Sequence, residues 1–256
     1  MVEDLMARES DAHRLPLVLG GHSPPGEERT KALIRFVVPI ALKEVMEILT
    51  PEFTRTSGHR FEIVHRLNPE VPKYIATGVA WDIAITNPYH VDRIIAAGRA
   101  AAGSGRPFGR TPLAFAVRGD ASIPVRQSIE EIAKTLLSAA SIAVTATGTS
   151  GATFHALARR LDVWEKIENR VRPMVGGGPM KALLAGDIEL AALPLTNIAP
   201  VPGVHAIAVC PPEFHARIDL SLCLAPNASR AAHGFGEWLV DPARYATLGA
   251  LGAHRF

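Results

Sequence analysis

The chain alternates short apolar runs with longer stretches in which apolar residues recur every three or four positions. Short β-branched and aliphatic runs suit buried strands, and the 3.6-residue period suits helices with one face turned inward. Residues 35–38 read as the first core strand. Pro39 follows in the place of a first helical residue, and Leu42, Val45, Met46, Leu49 and Phe53 then fall on one helical face. A strand is predicted over 61–67 and a helix carrying Val71, Ile75 and Val79 behind Asn68 and Pro69. A third strand is predicted over 81–86 and a helix over 91–97 behind Asn87 and Pro88. This alternation predicts a parallel sheet covered by helices.

Residues 100–109, rich in Gly, Ala and Ser, read as a linker, and 111–117 as a strand that could cross between two lobes. Ser128 with Glu131 forms a capping box and opens a helix that turns Ile129, Ile132, Ala133, Leu136 and Leu137 inward. An apolar run over 141–146 then meets Thr147, Gly148, Thr149, Ser150 and Gly151, and Phe154, Leu157, Ala158 and Leu161 continue at helical spacing. A strand thus passes through a tight turn into a helix. Further on come a short strand over 171–175, glycines 176–178, a helix from Pro179 that Gly186 ends, and a strand over 188–193 that leads to Pro194 and Asn197. Residues 204–209 and 218–224 read as return strands. Two helices follow, one with Phe235, Trp238 and Leu239, the other with Leu248 and Leu251. No repeat of fixed period is visible.

Composition narrows the function classes. The 256 residues suffice for one large or two small domains. A hydrophobic content of 48% with only 6% aromatic residues suits an α/β protein with buried parallel strands. The 27 basic and 25 acidic residues are interspersed, so no surface for nucleic acid is expected. No apolar run reaches bilayer length, so no membrane insertion is expected. Cys210 and Cys223 can pair or stay as small buried hydrophobes, which their spacing does not decide. No Cys/His cluster has zinc-ligand spacing; neither a metal nor a cofactor is expected. Residues 1–30 read as an extension without the basic start and long apolar core of an export signal. As written the chain reads as cytoplasmic, and as periplasmic if its start is trimmed.

The turn at 147–151 is the strongest candidate for binding. The first backbone N–H groups of a helix have no intrahelical partner and favour an anion. Thr149, Ser150, Gly151 and Thr153 can cap the helix or contact a ligand, and one role does not preclude the other. Thr86 and Asn87 end a strand before a proline, a turn signal as well as a contact position. Gly177, within 176–178, can form an anion nest or a plain turn. Arg66 can pair with a carboxylate or stay solvated. His155, in the first turn of the same helix, can move a proton, although with ten histidines a packed or exposed one needs no chemistry. Asp82 reads as a buried carboxylate bonded to backbone.

The order of these pieces resembles the molybdate-binding protein family, type II solute-binding proteins of ABC transporters, over residues 33–256. The residues that carry it are Phe53 with Gly58 and His59 at the end of the first helix, and Gly78 before the third strand with Asp82 inside it. Gly148 to Gly151 with Leu161, Asp162 and Trp164, Gly186 with Asp187 and Glu189, and the closing Leu251, Gly252 and Phe256 complete it. The resemblance implies an α/β fold of two lobes, a type II periplasmic-binding-protein-like clamshell of mostly parallel sheets flanked by helices. Lobe 1 would span 31–112 plus 214–256 and lobe 2 residues 113–213. It implies a small anionic ligand, held by strand-to-helix turns of both lobes, and an ABC permease as partner. Carried onto this chain, those turns place Pro39, Asn68, Thr86, Asn87, Pro194 and Asn197 beside the residues at 149–153. The chain departs from the pattern. Val38, Pro39 and Ile40 carry no hydroxyl at the first turn, Leu67 and Asn68 replace a small hydroxyl at the second, and Pro194 replaces a tyrosine. These departures favour a small organic carboxylate, seated at Ser150, over molybdate. The alternative is an enzyme on the same clamshell, an isomerase of a di- or tricarboxylic acid akin to the aconitate isomerase among the family's relatives, with His155 or an unassigned carboxylate as acid and base. A sensor that reports ligand by closing ranks third.

Overall fold

The computed structural model describes residues 31–119 and 125–255; the proposed extension over 1–30 lies outside them. Residues Lys31–Phe256 cluster as one compact unit. In chain order it holds strand β1 (Leu33–Pro39), helix α1 (Lys43–Ser57), β2 (Arg60–Arg66), α2 (Val71–Ala76), β3 (Ile83–Thr86), α3 (Pro88–Ala96) and β4 (Arg106–Arg118). Then follow α4 (Ile129–Ser138), β5 (Ile142–Thr145), α5 (Thr149–Arg160), α6 (Trp164–Ile167), β6 (Val171–Met174), α7 (Gly178–Ala185) and β7 (Leu190–Pro194). Strands β8 (Val204–Val209) and β9 (Arg217–Leu224) and helices α8 (Arg230–Val240) and α9 (Tyr245–Ala250) complete the order.

Each half is built on three parallel strands, β2-β1-β3 in the first and β6-β5-β7 in the second. The return strands add antiparallel ladders. β9 pairs with β3 and with the first part of β4, from Arg106 to Pro112. The second part of β4, from Leu113, pairs with β7 and β8. One strand therefore runs through both sheets. The expected linker over 100–109 is corrected accordingly: from Arg106 the chain is strand. Pro107 and Gly109 give that segment the composition of a loop, but the edge of β9 supplies partners that local propensity cannot foresee.

Alternation along β1 shows why each sheet is covered on both faces. Ile34, Phe36 and Val38 point into a core shared with α1 and α8, whereas Val37 faces α2 and α3 with Ile75, Ala84, Val91 and Cys223. In the second half Phe115, Ile142, Val144 and Phe154 fill one face, and Ala114, Ala143, Met180 and Leu183 the other. The capping box at Ser128 and Glu131 forms as the sequence predicts, the Glu131 N–H donating to Ser128 Oγ.

Cys210 and Cys223 are both free and buried, in different halves. Burial pushes each thiol up to about 12, so almost no thiolate exists near neutral pH. Neither thiol is expected to react with an aromatic disulfide reagent at pH 8 in the native state, and both are expected to react in denaturant. Fast labelling of two thiols in buffer alone would contradict this packing.

Candidate functional site

The parallel strands of both halves end at one cleft. Ile40 and Ala41 follow β1, Leu67 and Asn68 follow β2, Thr145 ends β5, Gly176 and Gly177 follow β6, and Pro194 and Asn197 close β7. Carboxyl ends of parallel strands are where α/β sheets open crevices, because the chain turns there into helix N-termini. The cleft has a volume of about 480 Å³, within the range of roughly 300–1,000 Å³ common for small-molecule sites. Its apolar walls include Ile40, Leu67, Met180, Leu184, Leu193 and Ile218; its polar ones include Lys43, Glu44, His65, Thr149, Ser150 and Lys181.

The turn before α5 is shaped by two glycines. Gly148 has φ +151°, and a Cβ there would stand 3.3 Å from Leu67 Cδ2, across the cleft. At Gly151 a Cβ would overlap the Thr145 carbonyl oxygen, so α5 lies directly against the end of β5. The capping expected of Thr149 and Ser150 is not what the structure shows: Gly148 takes the N-cap place and no side chain caps the helix. Thr149 Oγ1 instead donates to Asn87 Oδ1 at 2.7 Å, bridging the two halves. The Ser150 hydroxyl lies 3.4 Å from Thr145 Oγ1, and Thr153 Oγ1 donates to its own helix at Thr149 O. The first-turn N–H groups thus keep no side-chain acceptor, and the hydroxyls bond to Asn87, Thr145 and the helix's own backbone instead.

Of the residues proposed from sequence, Asn68, Thr149, Ser150, Gly177, Pro194 and Asn197 line the cleft. Pro39, Thr86, Asn87, Gly151, Thr153 and His155 do not. Pro39 is buried at the end of β1. Thr86 is fully buried and donates to the Asn68 carbonyl, so it holds the second turn in place. Asn87 donates to Asp219 O while accepting from Thr149. His155 packs edge-on to Trp164 with ring centroids 4.7 Å apart; burial and Arg159 lower its pKa. Arg66 lies over the Tyr74 ring at 4.5 Å and donates to His65 O, so it serves the outer surface of the first half. Asp82 accepts from the Arg35 backbone N–H at 2.8 Å, the buried backbone-bonded role read from sequence.

Sequence reasoning missed Lys43, Glu44, His65 and Lys181. Glu44 stands in the first turn of α1, its carboxylate taking a 2.6 Å hydrogen bond from Asn197 Nδ2. Burial raises its pKa, against the lowering effect of that bond. His65 is the last residue but one of β2; burial first and the Lys43 charge next lower its pKa. None of them stood out in the sequence. The one usable signal was their distance from a strand's carboxyl end. Among the described residues no group of three His, Cys, Asp or Glu is placed to hold a metal ion, and no helix is long and apolar enough to cross a membrane.

A clamshell of two α/β halves with its cleft at the strand ends defines the class of type II solute-binding proteins. The chain belongs to the bacterial extracellular solute-binding protein family, which matches residues 34–252. Among solved structures it is similar to the periplasmic molybdate-binding protein of Azotobacter vinelandii, with 16% identity, a TM-score of 0.74, and coverage of 86% of this chain and 98% of that one. It is also similar to the sulfate-binding protein SubI of Mycobacterium tuberculosis H37Rv (14%, 0.64, 87% and 86%). A third is PEB3 bound to L-phospholactate (9%, 0.63, 87% and 100%), a protein of Campylobacter jejuni. Identities this low carry the fold and no more. No curated protein matches the chain significantly.

Proposed function

We propose that this solute-binding protein closes its cleft on a small organic anion and delivers it to an ABC permease outside the cytoplasmic membrane. The observation that carries the reading is the cleft itself. The uncapped first turn of α5 offers backbone N–H groups and the positive end of a helix dipole, Lys43 and Lys181 line the same space, and aliphatic side chains make up much of the rest. A bare four-oxygen anion would leave those apolar walls without a partner, whereas an organic acid uses both. The molybdate and sulfate named for two structural relatives, and the phospholactate of the third, are all oxyanions, which supports the anion and leaves its organic part to the cleft. His155, one acid and base of the isomerase alternative, does not reach the cleft; the carboxylate that does, Glu44, is the remaining group for proton transfer, and turnover is an outcome of the test below.

The test is a thermal-shift and calorimetric panel of molybdate, tungstate, sulfate, inorganic phosphate, phospholactate and a series of di- and tricarboxylates. Each stabilising compound is then followed by proton NMR in deuterated buffer. At a hundredfold excess over Kd, binding adds about 2.7 kcal/mol of stability. We expect an organic acid to stabilise and to stay chemically unchanged. Molybdate or sulfate alone as stabilisers would refute the organic part, and exchange of a carbon-bound proton would refute a pure binding role.

A further inference from the structure

The cleft of a protein that binds anions contains a carboxylate. Glu44 lines it with a side chain only 18% exposed. Its position is fixed from the other half of the fold: Asn197 Nδ2 donates to Glu44 Oε2 at 2.6 Å and to the Ile40 carbonyl at 2.8 Å. Thr196 Oγ1 donates to the Ala41 carbonyl beside it, so the β7 end and the first turn of α1 are tied together under the cleft. The remaining carboxylate oxygen has Lys43 Nζ at 3.9 Å, beyond hydrogen-bond range. Lys43 is also drawn to Glu47 at 3.3 Å. These partners, with the residue's own backbone N–H, do not exhaust the roughly four lone-pair directions of a carboxylate. Burial raises the pKa of Glu44, against the lowering effect of the Asn197 hydrogen bond.

We propose that Glu44 is a specificity-determining residue: it accepts a hydrogen bond from a hydroxyl, an ammonium or an acidic proton on the ligand, and it disfavours anions that carry no such donor. The inference rests on the anion-binding reading above. A donor meeting Glu44 makes a charge-assisted hydrogen bond in a low-dielectric cleft. A donor-free dianion instead meets a negative charge that Lys43, shared with Glu47, only partly offsets. The ligand class is then an organic acid with a hydroxyl or amino group near its anionic end. The geometry assigns the anionic end to the first turn of α5 and to Lys181 of α7, and the donor to Glu44 on the α1 wall.

Matched probes separate the two ideas. Calorimetric titration of the full chain with malate, aspartate and succinate varies the donor on one dicarboxylate skeleton, and inorganic phosphate against sulfate does so without carbon. Malate or aspartate is expected to bind at least about tenfold tighter than succinate, the order of discrimination a site built for a donor achieves. In Glu44→Gln and in Glu44→Met that ratio is expected to fall to about threefold or less, with sulfate binding gained. Succinate and sulfate binding as tightly as their donor-bearing mates, or a ratio unchanged in both variants, would overturn the role of Glu44 and leave the anion-binding reading standing. No binding by any probe would overturn both. The wild-type ratio is itself a test if either variant fails to fold.

Discussion

Gly151→Ala is expected to destabilise the protein by about 3 kcal/mol or more, the upper end of overpacking costs, and to abolish ligand binding. The sign is diagnostic. In an ordinary helix interior alanine gains about 1 kcal/mol over glycine, and Gly151 lies in the first turn of α5. Here the added methyl would overlap the Thr145 carbonyl oxygen and stand 3.1 Å from its carbon. Neither partner is the free end of a flexible side chain, so helix and strand must part. Parting them moves Thr149 off Asn87 and Ser150 off Thr145, which disturbs the cleft wall. Urea unfolding of the variant beside the wild type measures the cost, and calorimetry with any stabilising acid measures the loss of binding. A variant as stable as the wild type would mean that α5 can slide along β5 at no expense, and the tight turn would lose its explanation.

Phe235→Ala is expected to cost about 3–5 kcal/mol, the usual range for a fully buried phenylalanine. Phe235 is completely buried. Its ring meets Phe36 at 5.4 Å, Phe53 at 5.0 Å, Phe61 at 4.7 Å and Trp238 at 6.1 Å between centroids. The chain is poor in aromatics, and much of what it has is spent on this cluster between α1, α8 and the first sheet. Phe235→Leu is expected to lose less, because a leucine keeps part of the volume. Urea midpoints for both variants decide it; a loss below about 1 kcal/mol for the alanine variant would show that α8 closes over the gap. Since the cluster lies on the α1 face and the cleft at the strand ends, ligand affinity measured well below the transition is expected to hold.

Much of this molecule was legible in the order of its residues. Val and Ile runs followed by prolines marked β1, β3 and the helices after them, because the period of apolar positions reports which side of an element is buried. The turn from β5 into α5 was legible for a local reason: small residues at 147–151 permit a tight entry that larger ones would block. The place of the site followed from the same logic, since strand ends in an α/β sheet converge. That is why Asn68, Ser150 and Asn197 could be named before any coordinates, and they do line the cleft.

What could not be read are relations between segments far apart in the chain. Arg106 to Gly109 has loop composition and becomes strand because β9, more than a hundred residues later, lies alongside it. Thr86 and Asn87 were placed correctly at a strand end, yet their side chains turn to Asn68, Asp219 and Thr149; which way a side chain points depends on neighbours that only folding supplies. His155 looked chemical from its helix position and is occupied by Trp164. Glu44 was not singled out and is half-buried in the cleft, its carboxylate held by Asn197. Periodicity and turn chemistry are local properties, so the sequence by itself determined the elements and the end of the sheets where the cleft opens. Burial, charge environment and hydrogen-bond choice are set by contacts across the chain, so only the tertiary structure decided which groups meet there.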